Sequence, residues 1–532
     1  IVIGVYVGFE SEMTPEQLRS LTSVITRTSL LSGAHDVESQ IPLVDHLIVP
    51  DLEGFSPSSF SDGVAIMNRG EEAAREMIDQ LRALADSVNA LGQPEKKPFL
   101  PDNDSIWITD IRVLTKSPTM AGFVIEKTAI DTGKWLKPEA LNSGIDRLFG
   151  TLFFEKIEYY FEQMDEGYRL VFRIKEKPPA SVKTALHYNN TFGPGLILNY
   201  TRLNSLVNGS RLGVTGYISE APQFRGYFDF HMGKNRGFIG SLFLNAEREK
   251  LPFFENNVDI GDYSHQVAAG GMGIRQTLST NRHVGFEFYY HHALLKLSRN
   301  IKEVRPSLEW LDKIVFRGPE LKLLYEANTF DHNLYPTRGY RFDIHYRQAF
   351  NTLETYRFDF PDSLEVAEED REVVNEQDPY WHFSASFESF FPIGEMVSLN
   401  TELALGLSKD DKPFVDNYYL GGYRYNQRMN QVPFVGLRSH ELLVGNYLSE
   451  KIVLQWEAVP GLYVSGLVNI VFHSDVLEDF PGYILDLNSD RRLIGVGAGF
   501  TYRTPLGPVS AFYGSRTDVW NPIWYLNIGF PF

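Results

Sequence analysis

The 532 residues contain no cysteine, which rules out disulfides, thiolate metal sites and a cysteine nucleophile and is compatible with the bacterial envelope. No run of eighteen or more apolar residues occurs, so a transmembrane helix is excluded. Basic charge is scarce, because 50 Lys and Arg against 68 Asp and Glu leave −18; that balance argues against nucleic acid as a partner and for a solvated acidic surface. The chain starts IVIGVYVG, with no Met, no basic n-region and no signal-peptide apolar region. An envelope protein needs an export signal, so residue 1 is expected to lie inside a longer chain.

What is abundant suits strands. With 27 Tyr, 38 Phe, 7 Trp and 43 Gly, the chain has the material for β-strands, interfacial aromatic girdles and tight turns, and a barrel escapes hydropathy analysis because only alternate residues meet lipid. The final run WNPIWYLNIGFPF at 520–532 sets Trp524, Leu526, Ile528, Phe530 and Phe532 against Tyr525, Asn527, Gly529 and Pro531. That period of two is a strand with one apolar face, and a terminal strand with a bare edge is completed most economically by closing a barrel.

Dividing the 350 residues 183–532 at turns gives 16 alternating segments, at about 183–190, 194–203, 210–219, 224–232, 236–248, 263–279, 283–296, 313–328, 338–350, 380–391, 396–408, 440–457, 462–474, 491–504, 507–515 and 522–532. An even count returns both ends to one side, as a closed antiparallel barrel requires. In 338–350, Tyr340, Phe342, Ile344 and Tyr346 are expected to face lipid and Arg341, Asp343, His345 and Arg347 the lumen. The long connections 297–312, 351–379 and 409–439 all follow odd strands, which places them together at one end of the barrel.

Upstream the pattern changes. Residues 1–8, 14–31, 46–50 and the apolar stripe Ala74, Met77, Ile78, Leu81, Leu84, Ala85, Val88 and Leu91 read as strand, helix, strand and helix, the end of an α/β domain over 1–95. Asp62-Gly63 has the composition of an ordinary turn. After a Pro-rich linker at 96–104, residues 105–180 read as strand, helix, helix and a hairpin about Asp165–Gly167. The expected fold class is therefore multidomain and mostly β: a 16-stranded antiparallel transmembrane barrel over 183–532, preceded by a small α+β domain and the tail of an α/β domain.

Several motifs carry family resemblances. The order IVIGVYVG, helix, LIVPDLEGFS, RGEEAAREMI resembles the carboxy-terminal third of a patatin-like phospholipase, a family that uses a Ser–Asp dyad with a Gly-x-Ser-x-Gly elbow; no such elbow occurs in this chain. IDRLFGTLFFEKIEYYF followed by YRLVFRIKEK resembles a POTRA domain, a periplasmic module that binds chains by strand addition. FDHNLYPTRGY at 330–340, LYVSGLVNIVFHSD ending on Asp475, and GVGAGFTYRTPLGPVSAFYG at 495–514 resemble parts of outer-membrane insertase-superfamily (BamA-like) barrels. In those barrels the sixth extracellular loop carries Gly-Gly and an Arg-Gly-Tyr or Arg-Gly-Phe tip that pairs with the inward Asp. Here Gly421 and Gly422 match, but the tip reads Asn426-Gln427-Arg428-Met429.

By that resemblance Arg428, with Arg424 as rival, pairs with Asp475 as a structural pin. The combined order resembles type Vd autotransporters, which implies the outer-membrane anchoring or secretion portion of a patatin-like lipase acting on lipid acyl esters, with catalytic Ser and Asp upstream of residue 1. The alternative is a non-enzymatic insertase or translocation component. Residues 1–182 would be periplasmic, with surface exposure of the patatin domain as a variant. Implied partners are outer-membrane lipid, a phospholipid substrate through the upstream domain, and a second copy in a homodimer. No catalytic residue, cofactor or metal is expected within the chain. His291 and His292 fall on opposite strand faces, and the acidic run Asp362, Glu365, Glu368, Glu369, Asp370, Glu372, Glu376 and Asp378 reads as a solvated loop.

Overall fold

The computed structural model describes residues 2–7, 40–52, 55, 62–90, 92 and 105–529, except 256–257, 333, 362–363, 365, 395, 411, 424–429, 487–488 and 505–506. It divides into two units, 1–103 and 104–532. In the first, β1 (Ile3–Val5) and β2 (His46–Ile48) pair in parallel. Two helices follow, α1 (Gly63–Glu76) and α2 (Ile78–Asn89). The single helix expected there breaks at Met77, whose backbone leaves the helical region at φ −94°, ψ 9°. The expected helix at 14–31 lies outside the described residues.

The second unit begins with a small domain of β3 (Ile106–Leu114), α3 (Pro118–Thr128), β4 (Lys134–Leu136), α4 (Pro138–Gly150), β5 (Phe154–Met164) and β6 (Gly167–Glu176). Proline opens both helices, where the missing N–H costs nothing. The sheet order is β4-β3-β6-β5, with β3 and β6 parallel. Strand β4 was not expected. The core places Met120, Phe123, Val124, Leu141 and Leu148 of the helices against Ile108, Leu170 and Phe172 of the sheet.

Sixteen strands then close a barrel: β7 (Ala180–Asn189), β8 (Gly193–Leu203), β9 (Ser210–Ile218), β10 (Gln223–Met232), β11 (Phe238–Glu255), β12 (Val258–Ser279), β13 (Arg282–Leu297), β14 (Leu311–Asn328), β15 (Gly339–Ala349), β18 (Tyr380–Pro392), β19 (Val397–Ser408), β23 (Asn446–Val459), β24 (Leu462–Ser474), β25 (Arg492–Thr504), β26 (Gly507–Arg516) and β27 (Ile523–Ile528), which returns to β7. Each matches one expected segment, with ends moved by a few residues. The connection 351–379, expected to be a loop, instead carries a hairpin of β16 (Thr352–Phe358) and β17 (Glu372–Gln377). Its first strand continues the wall by pairing with the early half of β14. Thr, Tyr and Phe on β16 and two Val on β17 give the run enough β-propensity to pair despite its acidic charge, and Arg357 meets Glu372 at 3.0 Å.

Alternation divides the wall as the residue pattern requires. On β13, Val284, Phe286, Phe288 and Tyr290 are exposed to the lipid side while Tyr289, His291, Ala293 and Leu295 are buried inward. On β27, Trp524, Leu526 and Ile528 face out and Tyr525 is buried, as the closing run predicted for its described part. No helix among the described residues is long and apolar enough to cross a membrane. The crossing is made by strands, whose backbone groups are satisfied by their neighbours in the closed wall.

The small domain is joined to the turn end of the barrel by specific contacts. Phe123 of α3 lies against Gly209 and, with Phe153, edge-on to His231. Lys127, buried beside it, donates to the Arg236 carbonyl at 2.7 Å, and Arg236 reaches Glu126 at 2.6 Å. Burial and the neighbouring Arg147 guanidinium push the Lys127 ammonium down to about 8.

Candidate functional site in the lumen and at the seam

The connection between β19 and β23 turns into the barrel. It forms a three-stranded sheet of β20 (Tyr418–Leu420), β21 (Gln431–Val432) and β22 (Leu442–Val444), ordered β21-β20-β22. The apolar run VDNYYL and the segment VPFVGL supply its anchors. Val415 and Tyr419 pack with Tyr263, Ala293, Phe316 and Tyr380 on one side of the wall, while Leu420, Phe434 and Leu437 pack with Tyr447, Val471 and Leu493 on another. Each fully buried side chain of this size contributes roughly 1.5–3 kcal/mol, so the loop is held as a plug.

Gly421 and Gly422 turn the chain after β20 at φ +132° and +87°, conformations an L side chain rarely adopts. A Cβ on Gly421 would also sit 1.9 Å from the Arg438 carbonyl oxygen. The pair identified in the sequence is thus where the loop reverses within the lumen.

At the start of the plug lies a buried polar cluster. Arg347 of β15 donates to Asp416 Oδ1 at 2.8 Å and meets Glu320 Oε2 of β14 at 3.5 Å. Tyr289 of β13 donates to Glu320 Oε2 at 2.7 Å, and His291 Nδ1 is 2.9 Å from Glu320 Oε1. Tyr380 of β18 donates to Asp416 Oδ2, with His382 Nε2 3.8 Å from the same oxygen. Asp416 and Glu320 are wholly buried. One guanidinium therefore ties a loop carboxylate to a wall carboxylate in a medium where an unpaired charge is expensive.

Strand parity placed Arg347 in the lumen, and the structure agrees; Arg341 on the same face meets Glu388 at 3.1 Å. Asp416 and Glu320 were missed. The same parity applied to β14 puts Glu320 inward, and Asp416 is an isolated acid inside an apolar run five residues before Gly421, which was the available signal. Among the described residues it is Asp416, on the loop, that makes the buried ion pair, with Arg347 on the wall. Arg428 and Arg424 lie outside the described residues. Asp475 follows the end of β24, exposed, with its carboxylate 3.4 Å from Arg491. His291 is buried and His292 is not, consistent with their opposite faces.

The closing strands grip the far end of the plug. Gly436 donates its backbone N–H to Tyr525 Oη at 2.9 Å, and the Tyr525 hydroxyl donates to the Leu437 carbonyl at 2.8 Å. Tyr423 stacks on Phe512 with ring centres 4.1 Å apart. Val435 rests on the glycine strip of β25 and β26; a Cβ on Gly495 would sit 1.9 Å from the Val435 carbonyl oxygen. Gly495 has no side chain because the plug backbone lies against the wall there, while Gly497 meets the Val435 side chain and Gly499 the Phe512 ring of β26.

The PTRG turn before β15 is closed by Asp331. Its carboxylate accepts from the Thr337 hydroxyl at 2.7 Å and from the Thr337 N–H at 3.0 Å. Burial pushes this carboxyl up, but those bonds and the N–H of Arg338 outweigh it and hold it down to about 2.

Among the described residues the seam that closes the barrel is short. Strand β27 pairs with β7 through Asn527 with Asn189 and Ile528 with Tyr188, whereas the other edge of β7 pairs with β8 from Ala180 to Asn189 without a break. Asn190 adds side-chain bonds to the Trp524 carbonyl at 2.7 Å and the Leu526 N–H at 3.1 Å. Phe530 and Phe532, expected on the closing strand, lie outside the described residues.

Residues 168–532 match the family model described as OMP85 superfamily. The fold is similar to the crystal structure of BamA from Haemophilus ducreyi lacking POTRA domains 1–3, at 14% identity and TM-score 0.56, covering 80% of this chain and 84% of that one. It is more distantly similar to CdiB from Acinetobacter baumannii, at 10% identity and TM-score 0.49, covering 79% and 73%. A search of curated proteins gave no match.

Proposed function

Since the chain belongs to the OMP85 superfamily and is an outer-membrane β-barrel protein of a Gram-negative bacterium, we propose that it acts as an outer-membrane insertase or translocation component whose seam receives incoming polypeptide. The observation that carries this is the two-pair contact of β27 with β7 among the described residues, beside the ten-pair ladder of β7 with β8. Few ladder bonds at one joint make it the cheapest place to open. Opening exposes unpaired N–H and C=O groups on β7, which a passing strand satisfies by β-addition. The small domain, POTRA-like in its pattern, sits at the periplasmic end and would hand chains to that edge.

The absence of cysteine allows a direct test. Asn189→Cys with Asn527→Cys places two thiols on facing residues of the seam, within disulfide range for an antiparallel pair. Reconstituted in vesicles, the reduced protein should promote folding of an unfolded barrel substrate and the oxidised protein should not. Equal activity in both states refutes the seam mechanism.

A second reading is favoured by the parallel pairing of β1 with β2 ahead of α1, which fits the patatin-like α/β resemblance. In it the barrel anchors or secretes a lipolytic acyl-ester hydrolase, in the manner of a type Vd autotransporter. Hydrolysis of a fluorogenic phospholipid by outer membranes carrying the protein at its full genomic length tests this, and no hydrolysis above that of membranes lacking it removes the reading.

A further inference from the structure

We propose that His291, Glu320 and Asp416, with His382 as fourth donor, form a divalent transition-metal site, best suited to zinc, that fastens the lumen plug to the barrel wall. The proposal rests on the lumen geometry and stands apart from the insertase reading. One ligand atom from each of His291, Glu320 and Asp416 lies within 4.8 Å of the others, and all three residues are buried. They come from β13, β14 and the plug, and His382 comes from β18, so a bound ion would join three wall strands to the loop.

Two donor separations bracket those of a tetrahedral ligand shell. Donors about 2.0–2.2 Å from a tetrahedral ion lie roughly 3.3–3.6 Å from each other. His291 Nδ1 to Glu320 Oε1 is 2.9 Å and His382 Nε2 to Asp416 Oδ2 is 3.8 Å, on either side of that range. Arg347 does not occupy the position. It takes Glu320 Oε2 and Asp416 Oδ1, which leaves Oε1 and Oδ2 on the side of the two imidazoles.

A second, independent observation points to a ligand. His382 is 5% exposed, neither of its ring nitrogens has a hydrogen-bond partner, and Nε2 is aimed at Asp416. Buried imidazole nitrogens normally find a donor or an acceptor, and a metal ion is the partner that would satisfy His382 and both carboxylates at once. Tyr289 on Glu320 and Tyr380 on Asp416 act as the outer partners that orient metal-bound carboxylates.

The charge and the donor types agree. Two carboxylates face one guanidinium within the cluster, and Lys412, which also faces Asp416, is shared with Asp410 and Asp475. Two imidazole nitrogens with two carboxylate oxygens suit zinc and similar ions; calcium and magnesium prefer all-oxygen shells.

The test uses the full chain, without a histidine tag, purified in detergent and stripped with a chelator. Titration with zinc chloride against a chromogenic competitor should show uptake of a single ion per chain, and cobalt should give the visible absorption of a tetrahedral site. His382→Asn should weaken binding by at least the ~10–100-fold that loss of an outer partner costs, and His291→Asn with His382→Asn should abolish it. Gel mobility of the unheated protein reports whether each variant barrel is folded; if the double variant is not, Asp416→Asn replaces it, with the same loss expected. No stoichiometric uptake by the parent chain, or uptake retained by the folded variant, overturns the site.

Discussion

Removing the guanidinium of Arg347 is the sharpest test of how the plug is held. In Arg347→Met the aliphatic stem stays, but Asp416 loses a 2.8 Å bond and Glu320 a 3.5 Å contact, leaving two wholly buried carboxylates without their cation. Breaking a buried pair in this way costs about 3–5 kcal/mol, more than the roughly 0–1 kcal/mol of an exposed pair. Adding Asp416→Asn removes one of the stranded charges. The double variant should therefore lose less than the sum of the two single losses, with a coupling of about 0.5–3 kcal/mol. Denaturant unfolding in detergent with chelator present, followed by tryptophan fluorescence and by gel mobility, measures all three. Protease sensitivity of residues 409–445 in intact cells should rise in parallel, since the plug is what the pair retains. A loss below about 1 kcal/mol for Arg347→Met, or losses that add within about 0.5 kcal/mol, would refute the reasoning.

Three further outcomes follow from the same geometry. Gly495→Ala puts a methyl 1.9 Å from the Val435 carbonyl and should cost about 1–3 kcal/mol by overpacking, while Gly466→Ala, with nothing within 4 Å of its Cβ, should stay within about 0.5 kcal/mol; both are read by unfolding midpoint. Tyr525→Phe strands the Gly436 N–H and should cost about 1–3 kcal/mol, with faster proteolysis of the plug and the barrel still folded. The Asp331 carboxyl is held down to about 2 from an ordinary 3.8, so its contribution of about 2 kcal/mol is complete above the ordinary value and is lost as pH falls through the lower one. Asp331→Asn should flatten the acid limb of the stability profile between roughly pH 4 and pH 2, and an unchanged limb would count against the turn's role.

The family connection bears on how these effects are distributed. The β27–β7 seam and the Tyr525 grip on Gly436 and Leu437 lie on the same closing strand. In the proposed seam mechanism, loosening the plug would also loosen the strand whose release opens the wall. Variants at Tyr525 and Gly495 should consequently alter substrate folding in the vesicle assay as well as stability.

The wall was legible in the sequence because a barrel strand is specified locally. A period of two fixes which residues face lipid, and a break in that period marks a turn, so all sixteen strands and the inward placement of Arg347 could be read from residues near one another in the chain. The β16–β17 hairpin was not, since its acidic composition masks a pairing that depends on β14 being there to extend. The lumen was beyond local reading for the same reason. Asp416, Glu320 and Arg347 are separated by tens of residues, and Gly495 meets Val435 only when the plug lies on the wall; which carboxylate faces which cation is decided by barrel closure and by the path of one loop, neither of which leaves a periodic mark. The sequence by itself determined an antiparallel barrel with an aromatic lipid face and a Gly-Gly reversal in a long loop. Only the tertiary structure decided that the loop is pinned through its own aspartate, that two histidines converge on that pin, and that the closing strand grips the plug through Tyr525.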